Sequence, residues 1–321
     1  MREGVAGRLA FRAISCDPAG NLHRTESQQM TENARGALYM NIAMLAFTLN
    51  DSCMKAVTQT MPLFQAISLR GALTTLALLV IGMMMGGLRL APGGRDGVVI
   101  GVRTLAEVAA TILFLVALTQ MPLANLSAIM QFLPLAVTLT AALVFRQPVG
   151  WRRMLAIFLG FIGVMIIIRP GTEGFDIWSM LGLASVACVV VRDLSTRELS
   201  RAVPSVSVAI WAGMAVTAIG LAGLAVSGWQ AVTAYEMLLI FGAAAALIVG
   251  YMFVVMVMRV GDIGVIAPFR YMALLWAILL GWLMFDNLPD FWTLTGALIV
   301  VATGIFTLLR ERHLARAAAR H

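Results

Sequence analysis

The chain has 321 residues, 60% hydrophobic and only 12% charged, with a mean hydropathy of +0.90, whereas ordinary soluble domains carry about 25% charged residues. That excludes a water-soluble globule and makes lipid the expected solvent. The net charge of +7 comes from arginines in short gaps between apolar runs, not along one polar face, so the partner of that charge is a lipid bilayer and not a nucleic acid.

Residues 1–35 hold Arg2, Arg8, Arg12, Arg24 and Arg35 without an uninterrupted apolar stretch. They read as a cytoplasmic arm, disordered or an extension ahead of a start at Met30, and not as a cleaved signal peptide. Ala13-Ile14-Ser15-Cys16 is no lipobox, because Arg12 breaks the run before it. Cys16, Cys53 and Cys188 are too scattered for a disulfide framework or a zinc site.

A helix crossing a hydrocarbon core of about 30 Å needs roughly 20 apolar residues. Between Gly36 and Arg310 ten spans of about 21 residues fit, with connections of about seven. They fall near 36–57, 62–86, 97–118, 122–145, 152–168, 177–197, 204–227, 234–258, 264–285 and 291–310. With the N-terminus cytoplasmic, the inside loops collect Arg89, Arg95, Arg146, Arg152, Arg153, Arg192, Arg197, Arg201 and Arg259, whereas the outside loops hold Arg169 alone. The outside junctions near Glu173, Asp176, Glu236, Asp286, Asn287 and Asp290 are acidic or neutral. This bias puts both termini in the cytoplasm, including the basic tail 311–321.

A shift of about 140 residues lays the sequence on itself. Asp51-x-x-x-Lys55 before Pro62 answers Asp193-x-x-x-Arg197 before Pro204, and Phe145-Arg146-Gln147-Pro148 answers Phe285-Asp286-Asn287-Leu288-Pro289. Gly160, Gly163, Gly296 and Gly304 mark the last span of each half, where small residues let helices approach. The expected units are 36–168, a connecting loop 169–176, and 177–310. Five spans per half is odd, so the second half enters the membrane inverted, an arrangement typical of secondary transporters.

These residues carry a family resemblance. Met121-Pro122-Leu123-Ala124-Asn125, Phe132-Leu133-Pro134, Arg152-Arg153, Gly160-Phe161-Ile162-Gly163 and Arg169-Pro170-Gly171 resemble the first EamA-type repeat of the drug/metabolite transporter superfamily. Ala267-Pro268-Phe269-Arg270-Tyr271, Leu280-Gly281-Trp282 and Leu288-Pro289-Asp290 are similar to the second. The resemblance implies an all-α integral membrane protein of ten helices in two inverted five-helix EamA-type repeats, acting as an inner-membrane carrier of small organic solutes. Where the family often has Glu before the last span of each half, this chain has Gln147 and Asn287. No role of those carboxylates transfers.

Charges inside a bilayer need a partner, an aqueous cavity or a function. Asp51 and Lys55, and Arg103 and Glu107, are spaced i, i+4, so each pair shares a helical face and can neutralise itself. Arg70 and Arg270 stand alone, and Arg192 and Asp193 approach the cytoplasmic end of the sixth span. Such charges either staple helices together or line a cavity and re-pair as gates. Asp51/Lys55 and Asp193/Arg197 are the candidate outer and inner gate pairs. Asn50, Asn125 and Gln131 can supply hydrogen bonds to a solute, and Tyr271 and Trp276 a stacking face.

Lys55, the sole lysine, lies outside any phosphate-binding Gly-Lys-Ser/Thr motif. His23, His313 and His321 all fall outside the spans, which removes intramembrane Ser-His, haem and His-metal chemistry. The expectation is a secondary transporter, not an enzyme, without cofactor or metal, whose partners are a small-molecule solute and a proton or other coupling ion. The solute is an amino acid, a vitamin such as riboflavin, or a compound like S-adenosylmethionine. A drug-efflux carrier, a channel and a membrane enzyme are the alternatives.

Overall fold

A computed structural model describes residues 20–84, 93–144, 150–169, 177–200, 203–258, 260 and 262–318. Arg89, Arg146, Gln147, Glu173, Asp176, Arg201 and Arg259 lie outside the described residues, as do the 145–149 joint and most of the 169–176 connection. The helices are α1 (Gly20–Val57), α2 (Leu63–Met84), α3 (Gly94–Gln120), α4 (Leu123–Met130), α5 (Leu133–Val144), α6 (Trp151–Ile168), α7 (Ile177–Arg197), α8 (Ser205–Ser227), α9 (Ala234–Val257), α10 (Ile263–Ile266), α11 (Met272–Phe285) and α12 (Phe291–Ala318). A 3-10 segment, Ala267–Tyr271, joins α10 to α11. Helix α1 begins inside the expected N-terminal arm, so that arm is helical from Gly20 onward.

Local chemistry sets several of these boundaries. Pro122 and Pro204 stand at the N-caps of α4 and α8, where a missing N–H and a fixed φ do no harm. Thr233 and Glu236 close a reciprocal capping box on α9. Asp290 accepts from the Thr293 N–H at 2.8 Å at the start of α12 and forms an ion pair with Arg169 at the end of α6. Burial works against ionisation of Asp290, but the hydrogen bonds from Arg169 and Thr293 outweigh it and hold its carboxyl below the usual carboxylate range.

Among the described residues nine helical stretches are long and apolar enough to cross a membrane, with α4–α5 and the 3-10 segment plus α11 each counting as one. Helix α1 is the tenth span. Asn50, Asp51 and Lys55 lower its apolarity, and it is enclosed instead by α9 and α11. A polar helix is tolerated in a bundle when its neighbours, and not lipid, surround the polar face.

The packing has an internal two-fold. When spans of the first half are exchanged with their counterparts five places later, α2 against α8, α6 against α12, and α4 against α11 map onto themselves. Helix α1 against α9 maps onto α3 against α7, and α1 against α11 onto α7 against α4–α5. Helix α2 against α9 likewise maps onto α3 against α8. Two inverted five-helix repeats generate this pattern. The self-paired contacts are built on small residues: a Cβ on Gly163 would stand 2.8 Å from the Gly296 carbonyl, and one on Gly296 would stand 2.5 Å from that of Gly163. Gly220 meets the Ser68 backbone in the same way across α8 and α2.

The fourth and ninth spans, expected as continuous helices, are broken. The fourth turns at Gln131–Phe132 between α4 and α5, ahead of Pro134, and the ninth tightens into the 3-10 segment containing Pro268. Proline removes a backbone donor and crowds the preceding turn, which accounts for both interruptions. Gln131 and Tyr271 stand 140 positions apart, so the breaks coincide under the same shift that relates the two halves.

Candidate functional site

The polar groups of the interior gather where α1, α2, α3, α7, α9 and the broken ninth span meet. At their centre is Glu107, on α3. It is bound by Arg192 from α7, 3.2 Å from Nη1 to Oε1, and by Arg103 one turn earlier on its own helix at 3.6 Å. Arg192 also pairs with Asp193 at 2.8 Å. Arg103 reaches across to donate from Nε to the Thr196 hydroxyl at 3.1 Å, while its Nη1 is buried without an acceptor among the described residues. The i, i+4 pair on α3 therefore forms, but as part of a cross-helix network.

That network continues toward the N-terminal end of α3. Arg95 pairs with Glu198 at 2.6 Å, and Ser200 donates from its backbone N–H and its hydroxyl to Asp96 at 3.2 and 2.7 Å. Deeper in the bundle the Ser185 hydroxyl donates to the Ala110 carbonyl at 3.1 Å. Helices α3 and α7 are thus held by a ladder of polar contacts running from one end of the bundle to its middle.

Neither expected gate pair is in contact in this structure. Lys55 does not turn to Asp51: its Nζ donates to the carbonyl oxygens of Leu118 and Met121 at 2.9 and 2.8 Å and stands 5.6 Å from the Phe285 ring centroid. Those carbonyls belong to the end of α3, where backbone acceptors lack helical partners and the dipole favours a cation. Asp51 instead accepts from Asn50 Nδ2 at 2.9 Å, and Asn50 Oδ1 accepts from Arg70 at 3.3 Å, so the amide bridges the two charges. Arg197 is exposed, and Asp193 is engaged by Arg192.

Among the remaining candidates, Arg270 lies on the 3-10 segment, within electrostatic reach of Asp193, Arg192 and Tyr271. The Tyr271 ring is buried against Gly304, and its hydroxyl has no partner among the described residues. Gln131 is buried at the break of the fourth span. Trp276 donates to Asn41 Oδ1 at 2.8 Å, an anchor between α11 and α1. Asn125 Oδ1 is buried without a donor among the described residues.

The sequence leaves Arg70 and Arg192 open between stapling helices and lining a cavity, and it gives no sign of Tyr251 or Thr196. Tyr251 on α9 interacts electrostatically with Glu107, Arg192, Arg103 and Arg70, yet is 38% exposed. Arg270 is likewise exposed despite its charged surroundings. Both thus keep exposed surface beside the charged cluster. Only the position of Thr196, one turn beyond Arg192, could have drawn attention to it. No cluster of His, Cys, Asp and Glu among the described residues is placed to hold a metal ion.

Comparison with known proteins fits this architecture. Over 197 residues the chain is 24% identical to the S-adenosylmethionine uptake transporter of Rickettsia conorii, covering 61% of this chain and 66% of the relative. Over 211 residues it is 27% identical to the riboflavin transporter of Brucella anthropi, covering 63% and 73%. A crystal structure of 19% sequence identity superposes with a TM-score of 0.60 over 87% of this chain and 98% of the other, which supports the fold. Residues 34–169 match the EamA-like transporter family.

Proposed function

We propose that the protein is a secondary transporter that moves a small polar or amphipathic organic metabolite across the inner membrane by alternating access, with both termini cytoplasmic. The observation that carries this reading is the two-fold equivalence of helix packing around a charged centre. Two units of opposite orientation can exchange conformations and expose one midplane site to either side. The five-helix units 36–168 and 177–310 are the bodies that rock, and the breaks at Gln131 and Ala267–Tyr271 flank the site between them.

The α3–α7 ladder serves as the cytoplasmic gate in place of an Asp193/Arg197 pair, because its outermost contacts, Arg95–Glu198 and Asp96–Ser200, lie at the end of the bundle that basic loops put inside. Amino acids, flavin vitamins and S-adenosylmethionine-like compounds are the solute classes to test, the last two being those of the relatives. A proton is the candidate coupling ion. The decisive experiment is counterflow in proteoliposomes: a carrier shows saturable uptake of labelled solute against a preloaded excess of the same solute. Flux that neither saturates nor accelerates by exchange overturns the reading in favour of a channel.

A further inference from the structure

Granted a solute site between the two halves, its unbalanced charge narrows what can occupy it. A guanidinium offers five N–H donors and does not shed its proton, so donors left without acceptors in a membrane interior call for an anion. Four guanidiniums, those of Arg70, Arg103, Arg192 and Arg270, face three carboxylates, which leaves one positive charge over. Lys55 does not alter this balance at the centre, because its ammonium is spent on the carbonyls ending α3.

The carboxylates are also unevenly shared. Glu107 is held by Arg103 and Arg192, and Asp193 by Arg192 again. Asp51 takes its hydrogen bond from Asn50. Among the described residues Arg70 makes one hydrogen bond, to Asn50 at 3.3 Å. Arg270 makes no hydrogen bond or ion pair to any described residue: it feels Asp193 only at longer range and is opposed by Arg192. It nonetheless has exposed surface and sits on the 3-10 break of the ninth span.

We propose that the solute presents an anionic group, a carboxylate or a phosphate, to the guanidinium of Arg270. Planar oxyanions match the guanidinium fork in a bidentate arrangement, and such charge-assisted bonds are stronger than neutral ones. Neutral and cationic solutes gain nothing from this group. The inference rests on the transporter reading and extends it to a substrate class.

The test uses the full-length protein, purified in detergent and reconstituted in parallel. Thermal shift is measured with matched pairs: amino acids, N-acyl amino acids and hydroxy acids, each as the free acid and as its amide, and phosphate monoesters beside the parent alcohols. At least one anion is expected to raise the melting temperature while its uncharged partner does not, since a ligand stabilises the form it binds. Comparing the acid and phosphate arms identifies the oxyanion. Arg270→Gln should weaken apparent affinity for that anion about tenfold or more, and Arg270→Lys should restore part of it, with the melting temperature of the unliganded variants reporting on folding. The proposal is overturned if no anion stabilises the protein, if the uncharged partner stabilises it equally, or if Arg270→Gln binds the anion as wild type does. Counterflow separates the two readings. Saturable exchange of a neutral or cationic solute removes the anion seat and leaves the carrier, whereas an anion that binds but shows no counterflow removes the carrier and leaves the seat.

Discussion

Replacing Lys55 by Met would decide whether this lysine is a gate or a helix cap. The side chain is 8% exposed and gives two hydrogen bonds, to the carbonyls of Leu118 and Met121. Hydrogen bonds involving a charged group contribute about 1.5–3 kcal/mol each, and the ammonium over the Phe285 ring adds about 0.5–2 kcal/mol. Methionine keeps the length and apolar bulk of the stem, so no cavity opens. Against the loss stands relief of the ammonium's own desolvation, several kcal/mol for a buried ion. What survives is chiefly the cost of leaving two backbone acceptors unsatisfied, at about 1–3 kcal/mol apiece, so the net destabilisation is about 2–6 kcal/mol. Lys55→Met should therefore lower the melting temperature by several degrees, while counterflow per folded molecule persists. Because Lys55 is the sole lysine, mass mapping after brief amine acylation reads the cap directly: in the folded protein Lys55 should react far more slowly than after denaturation. A variant with unchanged melting temperature and no counterflow, or rapid acylation of Lys55 in the folded protein, would refute the cap.

Gly296→Val should cost about 1–3 kcal/mol, since even its Cβ would stand 2.5 Å from the Gly163 carbonyl and 3.2 Å from the Ile167 nitrogen. Backbone atoms cannot swing aside, so a wild-type unfolding midpoint would contradict the close approach of α6 and α12. Asp290→Asn reports on the link between the same two helices. A carboxyl whose native pKa is depressed contributes stability that is present above its unfolded value, about 3.9, and lost as pH falls through the lower native value. The gap in melting temperature between wild type and Asp290→Asn should accordingly be full at pH 6 and close on acidification; a gap independent of pH would exclude the assignment. Glu107→Gln removes the carboxylate shared by Arg103 and Arg192 and should destabilise by about 3 kcal/mol. If Glu107 carries a coupling proton, the same change abolishes pH-driven flux and spares counterflow, whereas undiminished pH-driven flux assigns coupling elsewhere.

The apolar run lengths, the arginine gaps and the 140-residue shift were enough to specify ten spans in two halves, because the bilayer fixes helix length and duplication leaves its period in the chain. The two helix breaks were foreshadowed by Pro134 and Pro268, yet an apolar window takes no account of a lost backbone donor. Pairing was legible only in part. An i, i+4 ion pair contributes merely about 0.2–0.5 kcal/mol, so it yields whenever another helix offers something better. Arg103 and Glu107 stay together because Arg192 joins them. Lys55 leaves Asp51 because the end of α3 presents two free carbonyls, which become visible only once α1 and α3 are packed. Tyr251 was missed for the same reason: a lone aromatic in an apolar run declares nothing until the charges of α2, α3 and α7 are arranged before it.

The two-fold of the packing is not a two-fold of the chemistry. The α3–α7 contact carries ion pairs and hydroxyl bonds, whereas its counterpart, α1–α9, carries edge-on ring pairs, Tyr39 with Phe253 at 5.5 Å and Phe47 with Tyr251 at 5.6 Å. Exchanging the conformations of two identical halves would give two states of equal energy; here each state gives up a different kind of contact. Exposed ion pairs contribute about 0.2–1 kcal/mol each, and aromatic pairs about 0.5–1.5 kcal/mol beyond their buried area. Two or three of either therefore amount to similar sums. A carrier requires that balance, since a state disfavoured by much more than a few kcal/mol would be too rarely populated to pick up its solute. Because ion pairs weaken with salt and ring contacts do not, the balance also acquires a direction: rising ionic strength should loosen the α3–α7 end first.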